Sequence, residues 1–170
     1  MMLRCLFSVL ALFFAATGLV GAEEFLDPAV AFKPTARAVD GRSVEVDFEI
    51  AKGYYLYRDK FRFAVEGDGA KAGAAIFPPG KEKNDDTFGR VTVYYGPTTI
   101  ALPIERSGTG DLPLKLKVTS QGCADAGVCY PPQTQILAVT LPTPDAPPAK
   151  RSASGSETGR IAQALKNAGF

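Results

Sequence analysis

From Ser43 to Ile50 the chain reads Ser-Val-Glu-Val-Asp-Phe-Glu-Ile, with polar and apolar residues alternating without a break. Side chains on a strand point to opposite faces in turn, so Val44, Val46, Phe48 and Ile50 share one face of a strand and share none on a helix. Leu114-Lys-Leu-Lys-Val118 repeats the pattern. Thr92–Tyr95, Thr99–Ile104 and Thr134–Leu141 are rich in β-branched and aromatic residues and read as further strands. Asp40-Gly41, Gly67-Asp68-Gly69, Pro78-Pro79-Gly80, Gly96-Pro97 and Gly108-Thr109-Gly110 punctuate them. Between Thr35 and Leu141 no apolar stripe of helical period is longer than two turns. Short strands with a turn every roughly eight to twelve residues predict an all-β, antiparallel β-sandwich.

The two ends read differently. Arg4, the apolar run Leu6–Ala16 and the small residues Val20-Gly21-Ala22 have the order of a secretory signal peptide over 1–22, cleaved before Glu23. An uncleaved membrane anchor is the competing reading of the same run. The sandwich domain then spans 23–141. Pro142-Thr-Pro-Asp-Ala-Pro-Pro148 opens a Pro/Ser/Gly-rich linker over 142–159. A short helical stripe follows in the tail, 160–170, at Ile161, Ala164, Leu165 and Ala168. A helix of that length is marginal in isolation.

The chain has 3 cysteines and 0 histidines. Without an imidazole, Ser-His-Asp hydrolysis, Cys-His nucleophilic catalysis and His-ligated metal sites are excluded, and no metal or other cofactor is expected. Formal net charge is +1, which gives no electrostatic case for nucleic acid. Removal of the leader takes Cys5 and Arg4 with it. The mature chain is then neutral, with Cys123 and Cys129 as an even pair in an exported protein, where a disulfide is expected.

That pair lies in Gln121-Gly-Cys-Ala-Asp-Ala-Gly-Val-Cys-Tyr-Pro-Pro132. Gly122 and Gly127 permit the loop to fold back on itself. Two readings stand side by side. A structural staple is one, although a ring of about seven residues contributes only roughly 2 kcal/mol by restricting the unfolded chain. Reversible exchange is the other, and a short, exposed, Gly-flanked bridge suits it. No Lys, Arg or His lies between Ser120 and Leu137, and Asp125 sits inside the ring. Sluggish thiols are therefore expected, reacting mainly when a partner docks.

The same twelve residues resemble the redox segment of the N-terminal periplasmic domain of the thiol:disulfide interchange protein DsbD family. Lys52-Gly-Tyr-Tyr-Leu-Tyr-Arg58 is similar to the strand before that site, and Asp85-Asp-Thr-Phe-Gly89 resembles the family's cap loop. The resemblance runs from Phe25 to Leu141. It implies an immunoglobulin-like sandwich with an inserted redox-active hairpin, and a protein-disulfide reductase acting as an electron relay in the periplasm. The implied donor is a thioredoxin-like domain fed by a membrane reductase domain. The implied acceptors are periplasmic disulfide isomerases and the thioredoxin-like protein of cytochrome c maturation. Cys129 would form the mixed disulfides and Cys123 would resolve them. Phe88 is the candidate shield over the bridge. Because the family's chain continues through membrane and thioredoxin-like domains while this sequence stops at Phe170, a truncated frame, a split-gene product or a fragment is expected.

Several neighbours carry two readings. Tyr54 and Tyr57 are candidates to place hydroxyls beside the site, whereas Tyr55 reads first as cross-strand packing. Tyr130 is either packing or part of the surroundings of the pair, and Asp85 and Asp86 are either a solvated turn or site residues. The competing functions are an exported β-sandwich binding module with a purely structural disulfide, and an inert fragment of a larger membrane reductase.

Overall fold

The computed structural model describes residues 25–149. The expected signal peptide, most of the expected linker from residue 150 onward and the expected helical tail lie outside the described residues. Asp27 caps a single helical turn, α1 (Pro28–Ala31), by accepting from the Ala29 N–H at 2.8 Å. Eleven strands follow: β1 (Phe32–Asp40), β2 (Ser43–Ile50), β3 (Tyr54–Tyr57), β4 (Arg62–Glu66), β5 (Ala70–Ala72), β6 (Lys81–Asp85), β7 (Gly89–Tyr94), β8 (Pro97–Arg106), β9 (Leu112–Ser120), β10 (Gly122–Ala124) and β11 (Gln133–Leu141). A 3₁₀ turn, Arg58–Lys60, separates β3 from β4.

Alternation decides which faces meet. Val44, Val46, Phe48 and Ile50 of β2 are buried, and β2 pairs with β1 on one side and β8 on the other, in a sheet of order β1-β2-β8-β5. Ile100, Leu102 and Ile104 of β8 point to the same side. A second sheet, β11-β9-β4, presents Leu114, Leu116, Val118, Val139 and Leu141, and the two sets form one core. All the ladders are antiparallel. This is an immunoglobulin-like antiparallel sandwich, as the resemblance implied.

A third sheet, β10-β3-β7-β6, carries the cysteine hairpin. β3 is buried on both faces. Tyr54 and Leu56 join the sandwich core, while Tyr55 and Tyr57 pack with Val93 and Cys123 in a smaller second cluster. β10 lies close against β3, with Gly122 opposite Leu56 and Cys123 opposite Tyr55. A Cβ on Gly122 would collide with the Tyr55 carbonyl oxygen and stand 2.9 Å from both Leu56 Cδ2 and Phe32 Cζ. Only glycine admits that approach.

Two features depart from the sequence reading. Strand β6, Lys-Glu-Lys-Asn-Asp, has no apolar residue and therefore no periodic signal; it is held by its ladder to β7 and by Lys81 and Lys83 lying over the Tyr95 and Tyr55 rings. The start of the expected linker also folds back. The Ala149 N–H donates to the Val39 carbonyl at 2.6 Å, and Arg106 Nη1 donates to the Pro142 carbonyl at 2.7 Å.

Gly122→Ala is expected to destabilise the oxidised domain by about 1–3 kcal/mol, the usual cost of overpacking a tight site. Urea denaturation of the two proteins side by side measures it.

Candidate redox site

The chain enters the site on β10, turns at Asp125–Val128 and returns through Cys129. Gly127 makes the turn with φ +95°, a left-handed conformation that other residues rarely adopt. The Ala124 N–H donates to the Val128 carbonyl at 2.8 Å and the Tyr130 N–H to the Gly122 carbonyl at 3.0 Å. These two bonds flank a directly opposed pair, Cys123 and Cys129, with Cα atoms 4.0 Å apart. Such non-hydrogen-bonded positions bring side chains on antiparallel strands closest together. The two cysteines are joined by a disulfide.

The bridge is asymmetric. Cys123 is 0% exposed, while Cys129 lies on the surface. The exposed bridge expected from the sequence is thus exposed at one end only, because β10 is covered by β3 and the returning limb is not.

One hydroxyl meets the Cys123 sulfur. Tyr57 Oη stands 3.2 Å from Cys123 Sγ and donates to Asp85 Oδ2 at 2.6 Å. Tyr55 donates to the same carboxylate oxygen at 3.1 Å. The second oxygen, Oδ1, accepts from the Thr87 and Phe88 N–H groups at 2.9 and 3.0 Å. The Tyr57 hydrogen bond, followed by the two backbone N–H groups and Tyr55, outweighs desolvation and holds Asp85 below the usual carboxylate range. Burial first, and then the Asp85 bond, push Tyr57 far above the ordinary phenol range. Burial likewise raises Tyr55. Asp85 therefore stays ionised and Tyr57 stays protonated, which fixes the direction of their hydrogen bond.

The remaining candidates separate by place. Phe88 packs edge-on against Tyr57 at 5.3 Å between ring centroids, with Lys60 Nζ 4.2 Å from its own; it is 42% exposed. It therefore reaches the cysteines through Tyr57. Asp86 is exposed on the turn between β6 and β7, and no side-chain hydrogen bond or ion pair to it occurs among the described residues. Asp125 occupies the hairpin tip, where it meets Tyr95 and Lys83.

Tyr54 does not stand beside the sulfurs. It lies on the opposite face of β3, where its hydroxyl accepts from the Leu26 N–H at 2.9 Å and its ring meets Phe32 at 5.9 Å. Tyr130 shares that side: its hydroxyl donates to the Leu26 carbonyl at 2.7 Å, and its ring is edge-on to Phe32. Tyr55 takes the place expected for Tyr54. Strand parity carries this signal, since residues 55 and 57 share a face and residues 54 and 57 cannot. Tyr95 and Lys83 gave no signal, as both meet the site only across strand pairings. Among the described residues no group of three or more His, Cys, Asp or Glu could hold a metal ion.

Fold and site together define a β-sandwich carrying a disulfide hairpin, one cysteine presented and the other withheld beneath a tyrosine–carboxylate pair. The family model described as "Thiol:disulfide interchange protein DsbD, N-terminal" matches residues 22–141, and the chain belongs to that family. It is 40% identical over 149 residues to the thiol:disulfide interchange protein DsbD of Ralstonia nicotianae, covering 85% of this chain and 24% of that one. It is 41% identical over 131 residues to the DsbD protein of Neisseria meningitidis serogroup A, covering 76% and 21% of the two chains. The chain thus spans about a quarter or less of the length of these relatives. Its structure is similar to the crystal structure of the reduced N-terminal domain of Neisseria meningitidis DsbD, with a TM-score of 0.61, 39% identity and coverage of 69% of this chain and 91% of that one. It is also similar to a structure of the complex between the DsbD and PilB N-terminal domains of the same species, with a TM-score of 0.55, 36% identity and coverage of 78% and 97%.

Because Asp85 has a lowered pKa in the folded state, its contribution to stability is complete above the unfolded carboxylate pKa of about 3.9 and is lost as pH falls through the folded value. Asp85→Asn should therefore be less stable than the parent at pH 7, with the gap closing as pH drops below about 4. Guanidinium unfolding across pH 2.5 to 7 (roughly one point per half unit) measures the closing gap.

Proposed function

We propose that this domain is a periplasmic thiol–disulfide exchange relay, accepting electrons from a thioredoxin-like donor domain and reducing disulfides of thioredoxin-like oxidoreductases. The periplasmic disulfide isomerases and the thioredoxin-like protein of cytochrome c maturation are the acceptors this reading names. A membrane reductase domain would supply the donor. One observation carries the reading: Cys129 is exposed while Cys123 is fully buried. A staple has no use for that asymmetry. Exchange needs it, since attack must fall on one defined sulfur.

On loading, a donor thiolate attacks Cys129 Sγ and the Cys123–Cys129 bond breaks. The electron pair leaves on Cys123, which takes up a proton. The donor's second thiolate then attacks the donor sulfur of the mixed disulfide, releasing Cys129. The donor is now a disulfide and this domain a dithiol. On delivery, the Cys129 thiolate attacks the acceptor's disulfide. Cys123, giving up its proton, then attacks Cys129 Sγ and expels the reduced acceptor. Two electrons enter on loading and the same two leave on delivery.

The surroundings of Cys123 suit a guarded dithiol. Tyr57 gives its only proton to Asp85, so its oxygen is free to accept from a Cys123 S–H. Burial and the nearby carboxylate both favour the neutral thiol. The pair waits for a partner to draw the proton away. The likeness to a structure of a DsbD N-terminal domain in complex with a PilB N-terminal domain supports an exchange partner of protein size. The DsbD relatives support thiol–disulfide interchange as the chemistry.

Cys123→Ser, mixed with an oxidised thioredoxin-fold protein, is expected to accumulate a mixed disulfide through Cys129, visible on a non-reducing gel. Cys129→Ser should give at least about tenfold less adduct, because the remaining thiol is buried. No adduct from Cys123→Ser, under conditions where a control dithiol protein is trapped, would sink the relay and leave the structural disulfide.

A further inference from the structure

The tip of the redox hairpin is held from two sides. On one, the Asp125 N–H donates to the Gly53 carbonyl at 2.7 Å, in the turn between β2 and β3. On the other, the Asp125 carboxylate oxygen Oδ1 accepts from the Tyr95 hydroxyl at 2.9 Å and meets Lys83 Nζ at 3.4 Å. Lys83 lies over the Tyr55 ring, 4.6 Å from its centroid, and the Tyr95 ring is 5.6 Å from that of Tyr55. Tyr55 is in turn the cross-strand partner of Cys123. The grip on Asp125 and the seat of the buried cysteine therefore share one side chain.

A hairpin whose inner strand is Gly122–Ala124 has little stability of its own once its disulfide opens. Yet delivery requires Cys123 to find Cys129 Sγ within the mixed disulfide. Its speed depends on how well the two stay opposed.

We propose that Lys83 and Tyr95, acting through Asp125, are positioning residues that keep Cys123 and Cys129 opposed in the open dithiol. This deepens the relay reading above and rests on it. In the closing step the Cys123 thiolate attacks Cys129 Sγ, the bond from Cys129 to the acceptor breaks, and the acceptor leaves as a thiolate that takes up a proton. Neither Lys83 nor Tyr95 exchanges a proton or an electron. A grip that is firmer with the disulfide closed also favours closure by the same factor, since linkage is reciprocal.

The test is the equilibrium of the cysteine pair with reduced and oxidised glutathione, measured on the whole chain. Lys83→Met and Tyr95→Phe should each lower the equilibrium constant for closing the disulfide by about two- to fivefold, the scale of one exposed ion pair. That is a rise in reduction potential of about 10 to 20 mV. Lys83→Arg should restore most of the Lys83→Met loss. Added salt should lower the parent's constant toward that of Lys83→Met while moving Lys83→Met less. Thermal melts of the oxidised proteins keep loss of fold apart from loss of grip, and Tyr95→Phe changes neither charge nor ring volume.

Constants equal to the parent's in both variants would overturn the proposal. So would a shift in Lys83→Met alone together with a changed thiol pKa, which would make Lys83 an electrostatic neighbour of the sulfurs. If the parent itself neither equilibrates with glutathione nor traps a partner as Cys123→Ser, the relay reading falls and takes this one with it. If the parent does both and the variants match it, only the positioning role is lost.

Discussion

Strand β3 is buried on both faces, and the rest of the site depends on that. Its pleat sends Tyr54 and Leu56 into the sandwich core and Tyr55 and Tyr57 into the cluster around Cys123. The sandwich anchors the strand, so the two hydroxyls that approach the carboxylate of Asp85 are mounted on a rigid element. A buried tyrosine hydroxyl left without a partner would be costly. Asp85 meets both, and its own position at the end of β6 is fixed by the backbone of the turn that follows. The same strand presents its free edge to β10, and the missing Cβ at Gly122 lets the redox hairpin close onto it. One short strand thus determines where the buried sulfur lies, what surrounds it and which limb of the hairpin faces solvent.

The disulfide makes little sense as a brace. It closes a ring with a sequence separation of 6, and the entropic gain from so small a loop is modest, about 2 kcal/mol. A sandwich core of this size folds without such help. What the bridge does have is polarity: one end in solvent, the other beside a tyrosine whose proton is committed to a carboxylate. In the proposed relay, protection of the thiol and the direction of attack would both come from this geometry. The aromatic row Tyr95, Tyr55, Tyr57 and Phe88 carries that geometry from the hairpin tip to the turn after β6, each ring between 5.3 and 5.6 Å from the next.

Much of this could be read along the chain wherever one segment carried its own pattern. Strand β2 spans Ser43–Ile50, the limits that alternation alone marks. β6 could not be read, because all of its side chains are polar and its strand character comes from pairing with β7. Tyr54 shares a motif with the site residues, but its parity with Tyr57 places it on the opposite face of β3. Lys83 lies 42 residues from Asp125, and no local pattern links the two. Pro142–Ala149 reads as linker by composition, but the Val39 carbonyl on β1 and the Arg106 guanidinium on β8 give its backbone partners.

By itself the sequence determined the all-β class, the cysteine pair and, through a twelve-residue motif, the family. Each rests on residues close together in the chain, where periodicity, spacing and motif identity are local quantities. Only the tertiary structure decided that Cys129 is presented and Cys123 withheld, that Tyr55 rather than Tyr54 joins Tyr57 at Asp85, and that Lys83 and Tyr95 hold the hairpin tip. Those choices turn on which face of one strand meets which face of another. Tyr57 and Cys123 are 66 residues apart in the chain and 3.2 Å apart in space, and sheet register alone brings them together.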